Sequence, residues 1–238
     1  MTQQPQPPDH TDEDERVARL LDAQDKATEL FDEVSRRGMI RAGISERALS
    51  DEIRDLAADM FGVTRHWHKR IVRSGTNTIE IYRANPPDRI ITDDDIAFID
   101  FGPIFEAWEA DLGRTFVLGD DPLKHRLRDD LPTVWESARH YFTTHPEITG
   151  AELFHHVVTL SEDAGWRFGG EIAGHLVGEF PHEKIRGHEI DSYVAPGSDL
   201  PMRRVDNSGR MCHWILEIHL VEPARRFGGF CEQLLDLP

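Results

Sequence analysis

Acidic and imidazole side chains that recur between residues 100 and 232 are the strongest chemical signal in this sequence. They are Asp100, Asp111, His175, His182, Glu217 and Glu232. Most of the carboxylates interrupt apolar runs with strand character, such as IAFIDFG and ILEIHL. A lone ionised carboxylate is costly to bury in such a run unless something positive pairs with it. Several carboxylates that converge with an imidazole can bind two divalent cations, so the pattern predicts an enzyme with a metal site.

The spacing of the carboxylates suggests that they meet in pairs across antiparallel strands. Asp100 and Asp111 flank the segment FGPIFEAWEA, which can form a hairpin, and Glu217 and Glu232 flank a turn within VEPARRFGG. Two facing carboxylates repel each other unless a cation or a shared proton lies between them. Glu222 is the alternative to Glu217, and we prefer Glu217 because Glu222 falls in the turn itself.

The elements that position these residues follow from the hydrophobic periodicity. Helical spacing predicts helices over 14–36, 46–60, 123–142 and 149–164. Strand character predicts strands over 66–73, 77–83, 96–102 and 107–118, with mostly strand and loop from residue 170 onward. We therefore expect one α+β domain over residues 14–238, in which helices cover an antiparallel sheet. Residues 1–13 are polar, acidic and rich in proline, which predicts a disordered leader.

Composition restricts the partners and the compartment. The 238 residues carry a net charge of -17, which argues against nucleic acid or an anionic membrane as the main partner. Only two cysteines are present, Cys212 and Cys231, and we expect two buried free thiols in a reducing compartment. The first residues lack the basic and apolar regions of a signal peptide, so the expected location is cytoplasmic.

Taken in order, these motifs resemble those of the pita-bread metallopeptidases, which include methionine aminopeptidase, aminopeptidase P, prolidase and creatinase. The resemblance extends over residues 15–235. IDFG at 99–102 is similar to the family segment that bears the first ligand, and DLGRTFVLG at 111–119 is similar to the second. GHLVGEFPHE at 174–183 resembles the GHGIG…HE element, although Leu-Val replaces Gly-Ile. AGISERALSDEI at 42–53 is similar to the helix ahead of the site.

The resemblance implies a pita-bread fold and a site for two divalent metal ions, Mn, Co, Fe or Zn. In that scheme Asp100 would bind one ion, Asp111 and Glu232 would bridge both, and His175 with Glu217 would complete the second. Glu217 would also accept a proton from the nucleophile as a general base. His182 would not bind metal but would donate to the developing oxyanion or to the substrate carbonyl. A homodimer is a further expectation from the family.

The sequence departs from the family where the aminopeptidases carry a histidine upstream of the first aspartate. The corresponding window, 81–84, reads Ile-Tyr-Arg-Ala and contains no histidine. His66 or His68 is a candidate replacement, since the two lie on one face of a predicted strand. Arg83 is a candidate to bind a substrate carboxylate. The large N-terminal domain of creatinase, prolidase and aminopeptidase P has no counterpart in this sequence, so specificity does not transfer.

The sequence is compatible with three functions. The first is a dinuclear metal-dependent aminopeptidase, similar to Xaa-Pro aminopeptidase, that removes N-terminal residues from small peptides. The second is a creatinase-like hydrolase of a small non-peptide substrate with a C–N bond, which the absent histidine favours. The third is a pita-bread domain that has lost catalysis and binds a peptide or protein. Such a domain would be expected to lose several ligands, whereas all six positions are filled here.

Overall fold

A computed structural model describes residues 10–181, 190–207 and 209–237. The helices are α1 (His10–Arg36), α2 (Glu46–Phe61), α3 (Pro122–Thr144) and α4 (Gly150–Asp163). The strands are β1 (Ile71–Ser74), β2 (Ile96–Phe101), β3 (Ile104–Phe105), β4 (Trp108–Glu109), β5 (Leu112–Val117), β6 (Arg167–Phe168), β7 (Gly174–Val177), β8 (His213–Val221) and β9 (Gly228–Leu234). Among the described residues, no helix combines the length and the apolar character needed to cross a bilayer.

The strands form one seven-stranded antiparallel sheet in the order β1-β2-β5-β9-β8-β6, with β7 also paired to β8. Strands β3 and β4 form a separate two-stranded hairpin between β2 and β5. The α+β class and the antiparallel sheet predicted from the sequence are confirmed.

The helices begin and end near the predicted positions because the signals at their ends are local. Ser45 accepts a hydrogen bond from the backbone of Ala48 at the start of α2, and Gly62 ends this helix with φ of 68°, a left-handed conformation that favours glycine. Helix α4 begins with a complete capping box. Helix α1 begins at His10, inside the segment predicted as a leader, with acidic residues in its first turn. Residues 1–9 lie outside the described part of the chain.

Helices α3 and α4 pack on one face of the sheet, and the candidate site lies on the other. In β8, Leu216 and Ile218 are buried in the same core cluster as Trp135 of α3. Successive side chains of a strand point to opposite faces, so Glu217 and His219 lie on the face away from α3. A second cluster packs α1 and α2 against β2 and β5.

The sequence prediction is wrong in the segment between α2 and β2. A strand was expected over 66–73, but only the end of that range belongs to β1. A strand was also expected over 77–83, where the chain instead forms a 3₁₀ helix at Gly75–Ile79 followed by a turn. Asn77 donates from Nδ2 to the buried Glu46 carboxylate at 2.8 Å. This bond joins residues 31 positions apart, and the local sequence pattern could not indicate it, which explains the error.

The two cysteines agree with the prediction. Cys212 and Cys231 are both buried free thiols.

Candidate metal centre

Three of the predicted carboxylates lie in one row across the sheet. The strand registers pair Asp100 with Gly113, Gly113 with Glu232, and Glu232 with Glu217. Residues paired in this way share one face of an antiparallel sheet. The predicted cross-strand pairing of Glu217 with Glu232 is therefore confirmed. Strands β2 and β5 also pair as expected, but Asp100 opposes Gly113 rather than Asp111, because the hairpin turns at Glu106 and Ala107, one position beyond the midpoint of the two aspartates.

His175 reaches the same face from β7. It pairs with Ile215 of β8, whose side chain lies on the face of Glu217 two residues further on. The preceding residue, Gly174, has φ of 148°, and a Cβ there would lie 2.1 Å from the carbonyl oxygen of Ile215. Only glycine allows β7 to approach β8 this closely, so the Gly-His dipeptide fixes the position of the imidazole.

His68 reaches the site from an irregular segment before β1. The adjacent Trp67 donates from its backbone N to the oxygen of Gly102 at 2.9 Å and from Nε1 to the oxygen of Ala110 at 3.1 Å. These bonds tie the segment to both ends of the β3–β4 hairpin. His66 does not enter the site, since its ring packs edge-on against Phe101. Of the two candidate replacements for the upstream histidine, the structure therefore brings only His68 to the carboxylates.

The imidazoles and carboxylates form two groups that share Asp111. In one group, His68 Nε2 lies 3.1 Å from Asp111 Oδ1 and 3.5 Å from Asp100 Oδ1. In the other, His175 Nε2 lies 3.1 Å from Asp111 Oδ2 and 3.6 Å from Glu232 Oε1. Within each group the potential ligand atoms lie within 4.8 Å of one another. Glu217 faces the same cavity but belongs to neither group.

The pKa values reflect the crowding of like charges in a buried place. Burial raises the pKa of Asp100 to about 7 and that of Glu217 to about 8. Burial also raises the pKa of Glu232 well above its usual range, and the nearby charge of Asp111 adds to this effect. Burial opposes ionisation of Asp111 as well, but His68 outweighs it and holds the pKa of Asp111 well below its usual range.

These carboxylates raise the pKa values of both imidazoles. Burial by itself lowers the pKa of His68, but the charges of Asp111 and Asp100 outweigh it and raise the pKa to about 9. Burial likewise opposes the charged form of His175, yet its bonds to Asp111 and Glu232 raise the pKa well above the usual value. Positive charge is therefore strongly favoured at this place in the fold.

The side chains present fit divalent cations. Asp100 Oδ1 is buried and has no hydrogen-bond partner among the described residues. Such an orphaned anionic oxygen is costly unless a cation compensates it. Carboxylate oxygens with imidazole nitrogens are the ligand types that Mn, Fe, Co and Zn accept in proteins.

The candidate ligands lie in a cavity of about 620 Å³. Its walls include Trp67, Ile71, Phe98, Ile172 and Phe230, which makes much of the lining apolar. Arg83, the candidate to bind a substrate carboxylate, lines the cavity and pairs with Glu171, another lining residue, at 2.5 Å. This pair is largely exposed, so it lies toward solvent.

Other predicted residues lie elsewhere. Glu222 lies in the turn between β8 and β9, where it pairs with Arg226 at 3.3 Å, and it does not line the cavity. His182 lies outside the described residues. Sequence reasoning missed His219, which lines the cavity and is buried with Nε2 donating to the oxygen of Thr78 at 2.8 Å. The alternation in ILEIHL places His219 on the face of Glu217, and this signal could have identified it.

Comparison with solved structures identifies the fold. The dipeptidase PepE from Mycobacterium ulcerans superposes with a TM-score of 0.69 at 22% identity, over 91% of this chain and 55% of that chain. The X-Pro aminopeptidase from Thermotoga maritima gives 0.72 at 19% identity, over 92% and 57%. The methionine aminopeptidase from Rickettsia prowazekii gives 0.70 at 13% identity, over 93% and 92%. The chain therefore spans little more than half of the first two structures and nearly all of the third.

The fold is thus the pita-bread fold, as the sequence resemblance implied. No curated protein sequence matches the chain. The model of metallopeptidase family M24 matches residues 18–205. The chain belongs to this family. The matched range ends before Glu217 and Glu232, so the assignment of these two residues depends on the geometry of the sheet.

Proposed function

We propose that the protein is a dinuclear metal-dependent aminopeptidase that removes residues from the N-terminus of small peptides, as an Xaa-Pro aminopeptidase does. The observation that supports it most is the convergence of buried carboxylates and imidazoles at one cavity. In this proposal the metal ligands are Asp100, Asp111, His175, Glu217 and Glu232. Two divalent cations about 3.5–4 Å apart can share a water and lower its pKa for attack on a carbonyl.

The protein's own groups supply the proton transfers. Glu217 accepts the proton of the attacking water at a carboxylate oxygen and then delivers it to the leaving amine. Glu217 faces the cavity beside the other proposed ligands, which is the position a general base next to the metal-held water needs. His182 follows the β7 strand by a few residues, and we assign it the role of donor to the developing oxyanion.

The cavity suits a peptide end. Its apolar walls can surround the side chain that flanks the cleaved bond and exclude water from it. Arg83 is placed toward solvent, where its guanidinium can bind a carboxylate of a short substrate after release from Glu171.

Metal content with a peptide screen tests the proposal. Wild-type protein, Asp100→Asn and the exposed control Asp93→Asn are loaded with Mn, Co, Fe or Zn, desalted and analysed for metal. Two ions per chain are expected in wild type and in Asp93→Asn, and fewer in Asp100→Asn. Peptides with a free N-terminus, Xaa-Pro peptides among them, should be cleaved, while their N-acetylated counterparts should not.

The other outcomes separate the alternatives. Hydrolysis of small amides without cleavage of any peptide would replace this proposal with the creatinase-like one. Binding of two ions without any hydrolysis would favour a domain that binds peptides or proteins. A wild-type protein that retains no metal would refute the hydrolase altogether.

Location and assembly are part of the same proposal. We propose a cytoplasmic protein, for which the two buried free thiols are the support. A homodimer and manganese as the native ion are proposals that follow from family analogy alone.

A further inference from the structure

We propose that His68 is a direct ligand of one of the two cations, so that each cation has one imidazole ligand. This inference rests on the dinuclear site proposed above and adds a ligand from a segment outside the motifs that identify the family. His68 lies in the sequence HWHKR, ahead of the window in which the upstream histidine is absent.

His68 and His175 have matching geometry. His68 Nδ1 lies 2.7 Å from the carbonyl oxygen of Lys69, and His175 Nδ1 lies 2.8 Å from that of Leu176. A carbonyl only accepts hydrogen bonds, so each Nδ1 carries a proton and donates it. In its neutral form each imidazole then offers the lone pair of Nε2, and a backbone carbonyl fixes this orientation, as is usual for metal-binding histidines.

The Nε2 atoms of both histidines lie close to Asp111. His68 Nε2 lies 3.1 Å from Oδ1 of Asp111, and His175 Nε2 lies 3.1 Å from Oδ2. The two imidazoles thus approach opposite oxygens of the carboxylate that is proposed to bridge both ions. Each then has a second carboxylate nearby, Asp100 for His68 and Glu232 for His175. Since the distances around His68 match those around His175, the geometry that makes His175 a candidate ligand makes His68 one as well.

The packing of neighbouring residues holds the His68 ring in place. The Trp67 indole contacts both imidazoles, with ring centroids 4.4 Å from His68 and 5.1 Å from His175. Gly102 leaves the space that this packing needs, since a Cβ there would lie 2.2 Å from His68 Cδ2 and 2.3 Å from Trp67 Nε1. The His68 side chain is only 4% exposed. A metal ligand needs no exposure to solvent, so this burial is compatible with the proposed role.

The charges of the enlarged site also balance. Asp100, Asp111, Glu217 and Glu232 contribute four negative charges when ionised, and two divalent cations contribute four positive charges. His68 and His175 are neutral when they bind metal, so they add ligands without adding charge. A second imidazole argues against the manganese proposed from family analogy and favours Zn or Fe, because imidazole suits these metals better than it suits Mn.

Counting imidazole ligands by X-ray absorption spectroscopy of zinc-loaded protein tests this inference. Wild type should show two imidazoles per pair of ions, and His68→Ala should show one. His66→Ala is the matched control, because His66 lies two residues away but outside the site, and it should retain two imidazoles. Competition with a chelator should show that His68→Ala binds one of its ions about 100-fold more weakly or worse, since even partners outside the ligand shell contribute about 10–100-fold.

The wild-type measurement keeps the inference testable even if His68→Ala fails to fold. Two bound ions with a single imidazole would overturn the role of His68 and leave the dinuclear proposal intact. Full occupancy and an unchanged spectrum in folded His68→Ala would do the same. Wild-type protein that binds fewer than two ions would overturn both proposals.

Discussion

His213 joins the first helix to the C-terminal segment through two carboxylates, and its removal should destabilise the protein in a pH-dependent way. Its Nδ1 lies 2.8 Å from Asp236 Oδ2, and its Nε2 lies 2.8 Å from Glu13 Oε1. Both ring nitrogens must carry protons to donate to both carboxylates, so the full network needs the imidazolium form. The imidazole is 6% exposed, while the carboxylates are 18% and 15% exposed.

The magnitude follows from this burial. Removal of one partner from a buried ion pair costs about 3–5 kcal/mol of unfolding free energy. We expect about 3 kcal/mol for His213→Gln at pH 6, at the low end of that range, because both carboxylates retain some exposure to water. Burial opposes the charged form of His213, but Asp236 and Glu13 outweigh it and raise the pKa above its ordinary value.

Because the pKa of His213 is raised in the folded state, its contribution to stability decreases as pH rises. A raised pKa in the folded state means that the folded protein binds the proton more tightly than the unfolded chain. The stabilisation is complete below the ordinary histidine pKa of about 6.5 and is lost as pH rises through the folded-state pKa, by at most about 1.4 kcal/mol per pH unit. Burial raises the pKa of Cys212 to about 11, so this thiol stays neutral at pH 9.

Urea unfolding of metal-free wild type and His213→Gln at pH 6 and pH 9 measures the effect. The difference in unfolding free energy should be larger at pH 6 than at pH 9, since the metal site titrates equally in both proteins and cancels. His140→Gln, at an exposed position of α3, serves as the control and should differ little from wild type at either pH. An equal difference at both pH values would show that the charge on His213 contributes nothing.

Three further substitutions test the packing around the site. Gly102→Ala should displace His68 and destabilise the fold by about 1–3 kcal/mol, as overpacking does, seen by urea unfolding together with weaker metal binding. Glu46→Ala should cost about 2–4 kcal/mol in urea unfolding, because Asn77 and neighbouring buried donors lose their acceptor. Trp135→Phe should lower the unfolding free energy by about 2–3 kcal/mol by thermal or urea melting, since it leaves a buried carbonyl of β8 without its 2.9 Å donor.

The row of carboxylates could be predicted because local signals determine it. Glu217 and Glu232 flank a short turn, so the register of β8 and β9 follows from their spacing. Asp100 and Asp111 flank a hairpin in the same way, and only the exact partner of Asp100 was wrong. Residues close in sequence have few ways to pair, which is why such motifs are recognisable without a structure.

The region from 66 to 83 could not be predicted because contacts distant in sequence determine it. His66 and His68 look equivalent in the sequence, two residues apart in an apparent strand. Hydrogen bonds from Trp67 to Gly102 and Ala110 turn the segment, so that only His68 faces the carboxylates. The periodicity of a sequence cannot reveal a hydrogen bond to a residue more than thirty positions away.

The glycines beside the site show how one chain brings so many like charges together. Gly113 separates Asp100 from Glu232 in the row, and a Cβ there would lie 3.0 Å from Glu232 Cβ and 2.5 Å from Phe230 Cδ1. The absent side chain leaves room between two carboxylates that would otherwise be held apart. Gly102, two residues after Asp100, likewise lacks a side chain where the His68 ring packs. Glycines near the aspartates therefore let other side chains pack close to the carboxylates, and the negative charge collected in this way is what a cation can neutralise.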